Sequence, residues 1–220
     1  MIITIHQPDF APWLGFFDRW RHSDLYIVLD DVQFLRRGWH HRDRIKTDNG
    51  PCWLTIPVLK KGKYKQRINE VLIDNNTNWR TKHLRTITHA YGNCPGFSAI
   101  FPALEKAYGR QHGRLMDFNI DILKLLAEFL GINTPMVMAS AYPSKLTSTA
   151  RLAALTATHK GTVYLTGTGS RDYLDETIFE NQGISVEWQT FKHPNYPQAN
   201  GHFETGMSTI DFLMNTGNMV

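Results

Sequence analysis

Five short stretches of the chain carry residue types that do chemistry, and four of them follow a segment expected to form a strand. The first is His6-Gln7-Pro8, closed by Pro12-Trp13-Leu14-Gly15. A histidine there can move a proton or donate to a phosphate, with Gln7 beside it. The second is Asp30-Asp31-Val32-Gln33, where one acid can bind a metal, a ribose or a substrate amine while its neighbour caps a helix or turn. The third, Arg36 to Lys46, sets Trp39 among guanidinium groups and can stack and clamp a nucleotide or sugar phosphate. The fourth is Gly167-Thr168-Gly169-Ser170, a glycine loop between a strand and a helix that can turn backbone N–H groups toward an anion. It matches neither G-x-G-x-x-G nor a Walker loop. The fifth is His193-Pro194-Asn195-Tyr196-Pro197-Gln198, with prolines fixing the directions of polar side chains.

These stretches assign catalysis to His6, Asp30 and His193. Substrate or anion binding falls to Gln7, Asp31, Gln33, Arg42, Arg44, Gly167, Gly169, Ser170, Tyr196 and Gln198. Each also has a plainer reading: a histidine that braces a loop, glycines that only turn the chain, prolines and aromatics that pack. Their common position favours one cleft, because open α/β sheets bind ligands beyond the carboxyl ends of their strands. Adjacent His40 and His41 fit no usual zinc spacing, so no metal site is expected, and no cofactor is assigned. Alternation in Arg42-Asp43-Arg44-Ile45-Lys46 predicts the three cations on one open face, shared with His6 and the Gly167 loop, and Ile45 turned to the core.

The elements that must position these residues are a layered, Rossmann-like α/β fold: a mostly parallel sheet with helices on both faces and a central insertion. Strands are expected at Ile2–Ile5, Leu25–Leu29, Trp53–Val58, Val71–Ile73, Met136–Ala139, Thr162–Thr166 and Ile184–Gln189. Helices are expected from Trp13 to Arg21, Trp79 to Tyr91, Phe97 to Tyr108, Leu115 to Leu130, Ser148 to His159, Asp172 to Asn181, and from Ser208 onward. A single domain over 1–220 results, with a basic, hairpin-like insertion around 36–75, turning at the KKGKYKQ segment, and a helical segment over 79–131.

Composition excludes several classes. With 42% hydrophobic residues, the 220-residue chain can bury a full core, and no run approaches the ~18 apolar residues of a membrane helix. The opening MIITIHQPDF has neither the basic nor the apolar region of a signal peptide and reads as a first strand. Two cysteines without a metal or redox spacing suit a reducing compartment, so a cytoplasmic location is expected. Residues 36–67 hold ten Lys/Arg against two acids, a local +8 in a chain of formal charge +4. A cationic zone on an acidic body calls for a small anionic ligand, such as a nucleotide-sugar or an activated amino acid. Nucleic acid is set aside, since the remainder is acidic and no recognition motif appears.

Taken together, HQPDFAPWLGFFDRW, LDDVQFLRRGW, DRIK, WLTIPV, TNWRTKH, TGTGSRDYLD, FKHPNYPQ and STIDFLMNTG resemble the WbqC-like family over nearly the whole chain. Where an Asn-Arg pair is expected, this chain has His41-Arg42. The resemblance implies a transferase of O-antigen or other surface-polysaccharide biosynthesis, with glycine or aminoacyl transfer to a sugar. A weaker likeness to nucleotidylyltransferases rests on the turn from His6 to Gly15, but Phe16 stands in place of their second histidine. A non-catalytic carbohydrate- or nucleotide-binding module is the alternative from another class.

Overall fold

The computed structural model describes residues 1–217; the last three residues of the expected domain lie outside them. The chain forms two compact units. The first comprises residues 1–7, 15–31 and 133–192, and the second residues 8–14, 32–132 and 193–217 of those described.

The first unit is an all-parallel sheet of five strands in the order β5-β2-β1-β6-β7. These are β1 (Ile2–His6), β2 (Leu25–Val28), β5 (Met136–Met138), β6 (Val163–Thr166) and β7 (Ser185–Trp188). The β-branched run of β1 places it at the centre, and β2 is buried throughout, as the unbroken apolar stretch requires. Alternation along β2 shows a layer on each face. Leu25 and Ile27 join a core with Ala153 and Leu155 of α5 (Ser148–Thr158) and Phe179 of α6 (Glu176–Glu180). Tyr26, between them, meets Phe16 and Trp20 of α1 (Leu14–Arg21), with ring centroids 5.6 and 4.8 Å apart. The layered α/β expectation is borne out. Strand order reverses between β1 and β6, because β1-α1-β2 steps one way across the sheet and β6-α6-β7 the other.

The second unit packs α2 (Trp79–Tyr91), α3 (Phe97–Gly109), α4 (Leu115–Phe129) and α7 (Thr209–Thr216) with an antiparallel hairpin, β3 (Arg42–Thr47) and β4 (Gly50–Thr55). Phe10, Trp79, Tyr108 and Phe118 form an aromatic core there. Helices α2, α3 and α4 fall within a residue or two of their expected spans.

The hairpin corrects the sequence reading. Its turn is Asp48-Asn49 leading into Gly50 at φ +89°, not the KKGKYKQ segment. An Asn-Gly step with a glycine free of the Cβ penalty is the ordinary chemistry of a tight hairpin. Val71–Ile73 forms only single bridges, from Ile73 to Val58 and from Leu72 to Arg114. The helix expected from Asp172 begins at Glu176 instead, because Asp175 caps it by accepting from Thr177 N.

Candidate functional site

A cavity of about 300 Å³ opens in the first unit at the carboxyl ends of β1 and β6, where the strand order reverses. Ile5, His6 and Gln7 enter it from β1, and Thr166, Gly167, Gly169 and Ser170 from the end of β6. Arg19 of α1, Leu152 of α5 and Tyr173 also line it. Five of the sequence-assigned residues therefore meet: His6, Gln7, Gly167, Gly169 and Ser170.

The His6 ring is oriented from two sides. Nδ1 lies 3.0 Å from the Gln7 carbonyl oxygen, which can only accept, so Nδ1 carries the proton. In the neutral form of the ring the lone pair is then on Nε2. Phe16 packs edge-on against the imidazole at 5.1 Å. The backbone is tied as well, since the His6 carbonyl accepts from Leu29 N and from the Tyr26 hydroxyl.

Opposite lies the glycine loop. Thr168–Ser170 makes one 3-10 turn, whose opening N–H groups at Thr168 and Gly169 have no acceptor within the turn. Ser170 holds the turn closed by donating its hydroxyl to the Gly167 carbonyl at 2.8 Å, and its Oγ lies 2.9 Å from Thr166 Oγ1. Gly167 makes room for a close approach: a Cβ there would overlap the end of the Arg19 side chain. Arg19 is only 8% exposed, and Nη1 donates to Gln189 Oε1 at 3.1 Å. Gln189 is itself braced, its amide donating to Asp18 Oδ2 and to the Gly15 carbonyl. A buried guanidinium held against a glycine loop is a ready anion clamp.

Sequence reasoning missed Arg19, because α1 reads as an apolar helix of Phe16, Phe17 and Trp20. The signal it offered was one cation among those aromatics.

Asp30 and Asp31 brace the sheet. Asp30, 1% exposed, accepts from Ser140 N just after β5. Asp31 pairs with Arg151 at 3.1 Å, and Arg151 also donates to the Ala139 carbonyl. Neither acid lines the cavity described.

The remaining assigned residues belong to the second unit. Tyr196 and Gln198 converge on Asp211, which is fully buried and accepts at 2.7 Å from the Tyr196 hydroxyl, at 2.6 Å from Gln198 Nε2 and at 2.6 Å from the Tyr91 hydroxyl. Burial, followed by the Asp211 charge, pushes both tyrosine hydroxyls well above their ordinary range. Gln33 donates to the Tyr64 carbonyl. His193 stacks on Trp13 at 6.4 Å, with Nδ1 2.9 Å from the Pro194 carbonyl.

The expected open face of three cations holds for two. Arg42 and Arg44 are half-buried on the hairpin face, whereas Lys46 is 2% exposed and donates Nζ to Gln198 and to the His202 carbonyl. The 193–204 segment covers that end of the face, which alternation within β3 could not reveal. Ile45 turns to the core as expected.

Elsewhere in this unit His40 Nδ1 lies 3.0 Å from Asp9. Burial, reinforced by Lys60 and Arg42, lowers His41 to about 4. Asp43 is raised well above the usual carboxylate range by burial. Among the described residues no group of three or more His, Cys, Asp or Glu side chains could hold a metal ion.

The model of the family described as WbqC-like protein family matches residues 7–219. The chain is 36% identical over 217 residues to a Mycobacterium tuberculosis protein described as "Uncharacterized protein Rv1507c", covering 98% of this chain and 94% of that protein. No solved structure matches.

Proposed function

The chain belongs to the WbqC-like protein family, and from that premise we propose that it is a cytoplasmic transferase of surface-polysaccharide assembly, moving an aminoacyl group such as glycine onto a sugar. The observation that carries this reading is the cavity at the reversal of strand order, with Arg19 buried beside a glycine loop and His6 facing it. Arg19 and the Thr168 and Gly169 N–H groups hold the anionic part of an activated donor. His6 Nε2 takes the proton from the sugar hydroxyl or amine as its oxygen or nitrogen bonds to the donor's acyl carbon. The bond from that carbon to the donor's leaving oxygen breaks, and Arg19 neutralises the oxyanion released. No helix among the described residues is long and apolar enough to cross a membrane, which agrees with a donor and acceptor met in solution.

The test is melting-temperature screening against nucleotide-sugars and aminoacyl or acyl-phosphate donors, followed by turnover assays with any that bind. At ~100 times Kd a true donor adds about 2.7 kcal/mol of stability. The reading expects binding that Arg19→Gln weakens and turnover that His6→Ala abolishes. Binding without turnover makes the protein a carrier or sensor instead, and the absence of any shift removes the anion clamp.

A further inference from the structure

The exposed face of the β3–β4 hairpin is built from rings and cations. We infer that it is a binding site for a nucleoside diphosphate, with the base on Trp39 and Trp53 and the two phosphates on Arg42 and Arg44. This inference rests on the second unit alone and stands whether or not the first unit's cavity is catalytic.

The register makes the platform. Arg44 pairs directly with Trp53 across the hairpin and Arg42 with Thr55, so Arg42, Arg44 and Trp53 share one face. Asp43 and Leu54 take the other face, which is buried. Trp39, from the turn just before β3, reaches the same rings, with its centroid 5.4 Å from that of Trp53. The guanidinium of Arg42 lies 4.5 Å over Trp53, and that of Arg44 lies 5.6 Å from Trp53 and 5.9 Å from Trp39.

Three features point to a ligand rather than to packing. First, the indoles are open: Trp39 is 45% and Trp53 42% exposed, in a chain that buries Trp20 and Trp79 to 3%. Exposed paired indoles waste apolar area unless something stacks on them. Second, no carboxylate pairs with either arginine among the described residues: Arg42 donates one Nη only to the Arg37 carbonyl, and the Nε of each is buried without a hydrogen-bond partner. The nearest acid in sequence, Asp43, spends its carboxylate on the Arg44 backbone N–H from the other face. Third, the surroundings add positive charge, with Lys60 close enough to depress His41 and the whole 36–67 segment at +8.

Two cations beside two neighbouring indoles, tilted 34° to each other, match a flat aromatic ring bearing a doubly anionic tail. Guanidinium planes accept both stacking and bidentate phosphate contact, which lysine does not. A bare anion would leave the indoles unused, and a neutral sugar would leave the arginines without a counter-anion.

The test is equilibrium titration of the full chain with UDP and ADP, followed by tryptophan fluorescence, alongside uridine, inorganic pyrophosphate and an eight-residue oligouridylate. The inference expects saturable quenching by at least one nucleoside diphosphate, with uridine and pyrophosphate each at least tenfold weaker. Arg44→Ala should weaken binding by about tenfold or more. Arg44→Lys, which keeps the charge but not the plane, should fall between. Trp53→Phe should remove most of the quenching. The inference is overturned if pyrophosphate binds as well as UDP, or if the oligonucleotide binds far more tightly than any mononucleotide. It is also overturned if Arg19→Gln abolishes binding while Arg44→Ala does not. A melting curve matching wild type certifies each variant, and Arg44→Lys serves where Arg44→Ala does not fold.

Discussion

Arg19 in the first unit and Arg42 and Arg44 in the second are all stripped of some water, but by opposite means. Arg19 is sunk to 8% exposure, aimed by a glutamine and pressed on a glycine. Arg42 and Arg44 are half-buried and laid on indole rings at the surface. A cation in a low-dielectric enclosure is scarcely screened and costs much to leave unpaired, so it suits an anion bound in one fixed place. A cation on an open aromatic face is screened by salt and tolerates varied ligands. On the proposed reading, the first region suits fixed chemistry and the second recognition at the surface.

The largest expected effect tests the first half of that comparison. His6→Ala should lower turnover about 10²- to 10⁴-fold while leaving the melting temperature nearly unchanged. Steady-state kinetics beside a melting curve check both parts. Loss of folding together with activity would make His6 a brace, not a base.

The buried polar group of the second unit should behave in the opposite way. Asp211 accepts from Tyr91, Tyr196 and Gln198, so Asp211→Ala strands two buried hydroxyls and removes one acceptor of a partly buried amide, and should cost about 2 kcal/mol or more. Urea denaturation measures it. A loss below about 1 kcal/mol would mean that the network is not structural, and would return Tyr196 and Gln198 to a binding role.

A pH effect comes next. Burial lowers both His41 and His83 to about 4 from an ordinary 6.5. Between those values the unfolded chain binds protons that the folded chain refuses. Stability is full above about pH 6.5 and falls by a few kcal/mol as pH drops toward 4. Denaturation midpoints at pH 7 and 4.5 read the fall, which substituting both histidines with Gln should flatten.

The smallest effect concerns one methyl group. Gly167→Ala must displace the end of the Arg19 side chain, a flexible group, so the fold should survive. Anion affinity in the cavity should drop about tenfold, readable by calorimetry. Unchanged affinity would show that Arg19 takes no part.

Legibility in the sequence follows the range of the interactions. Periodicity is local, so β1, β2, β6 and helices α2 to α5 were readable within a residue or two from their apolar patterns. Strand-end placement then located His6, Gln7 and the Gly167–Ser170 loop, which share a cavity. The hairpin turn was misplaced although Asp48-Asn49-Gly50 spelled it, because the lysine-rich KKGKYKQ segment looked more like a loop. Lys46 and Arg19 could not be read at all. One is covered by a segment some 150 residues away, and the other is set by Gln189 at a similar remove. No local pattern records which side chain from a distant strand will meet a given cation.

The most direct measurement is a crystal structure of the chain grown with inorganic pyrophosphate. The account predicts the anion in the first unit's cavity, within about 3 Å of an Arg19 guanidinium nitrogen and of the Thr168 or Gly169 N–H, as charge-assisted hydrogen bonds require. A cavity without the anion at saturating concentration, and no contact between the anion and the Arg19 guanidinium, would contradict it.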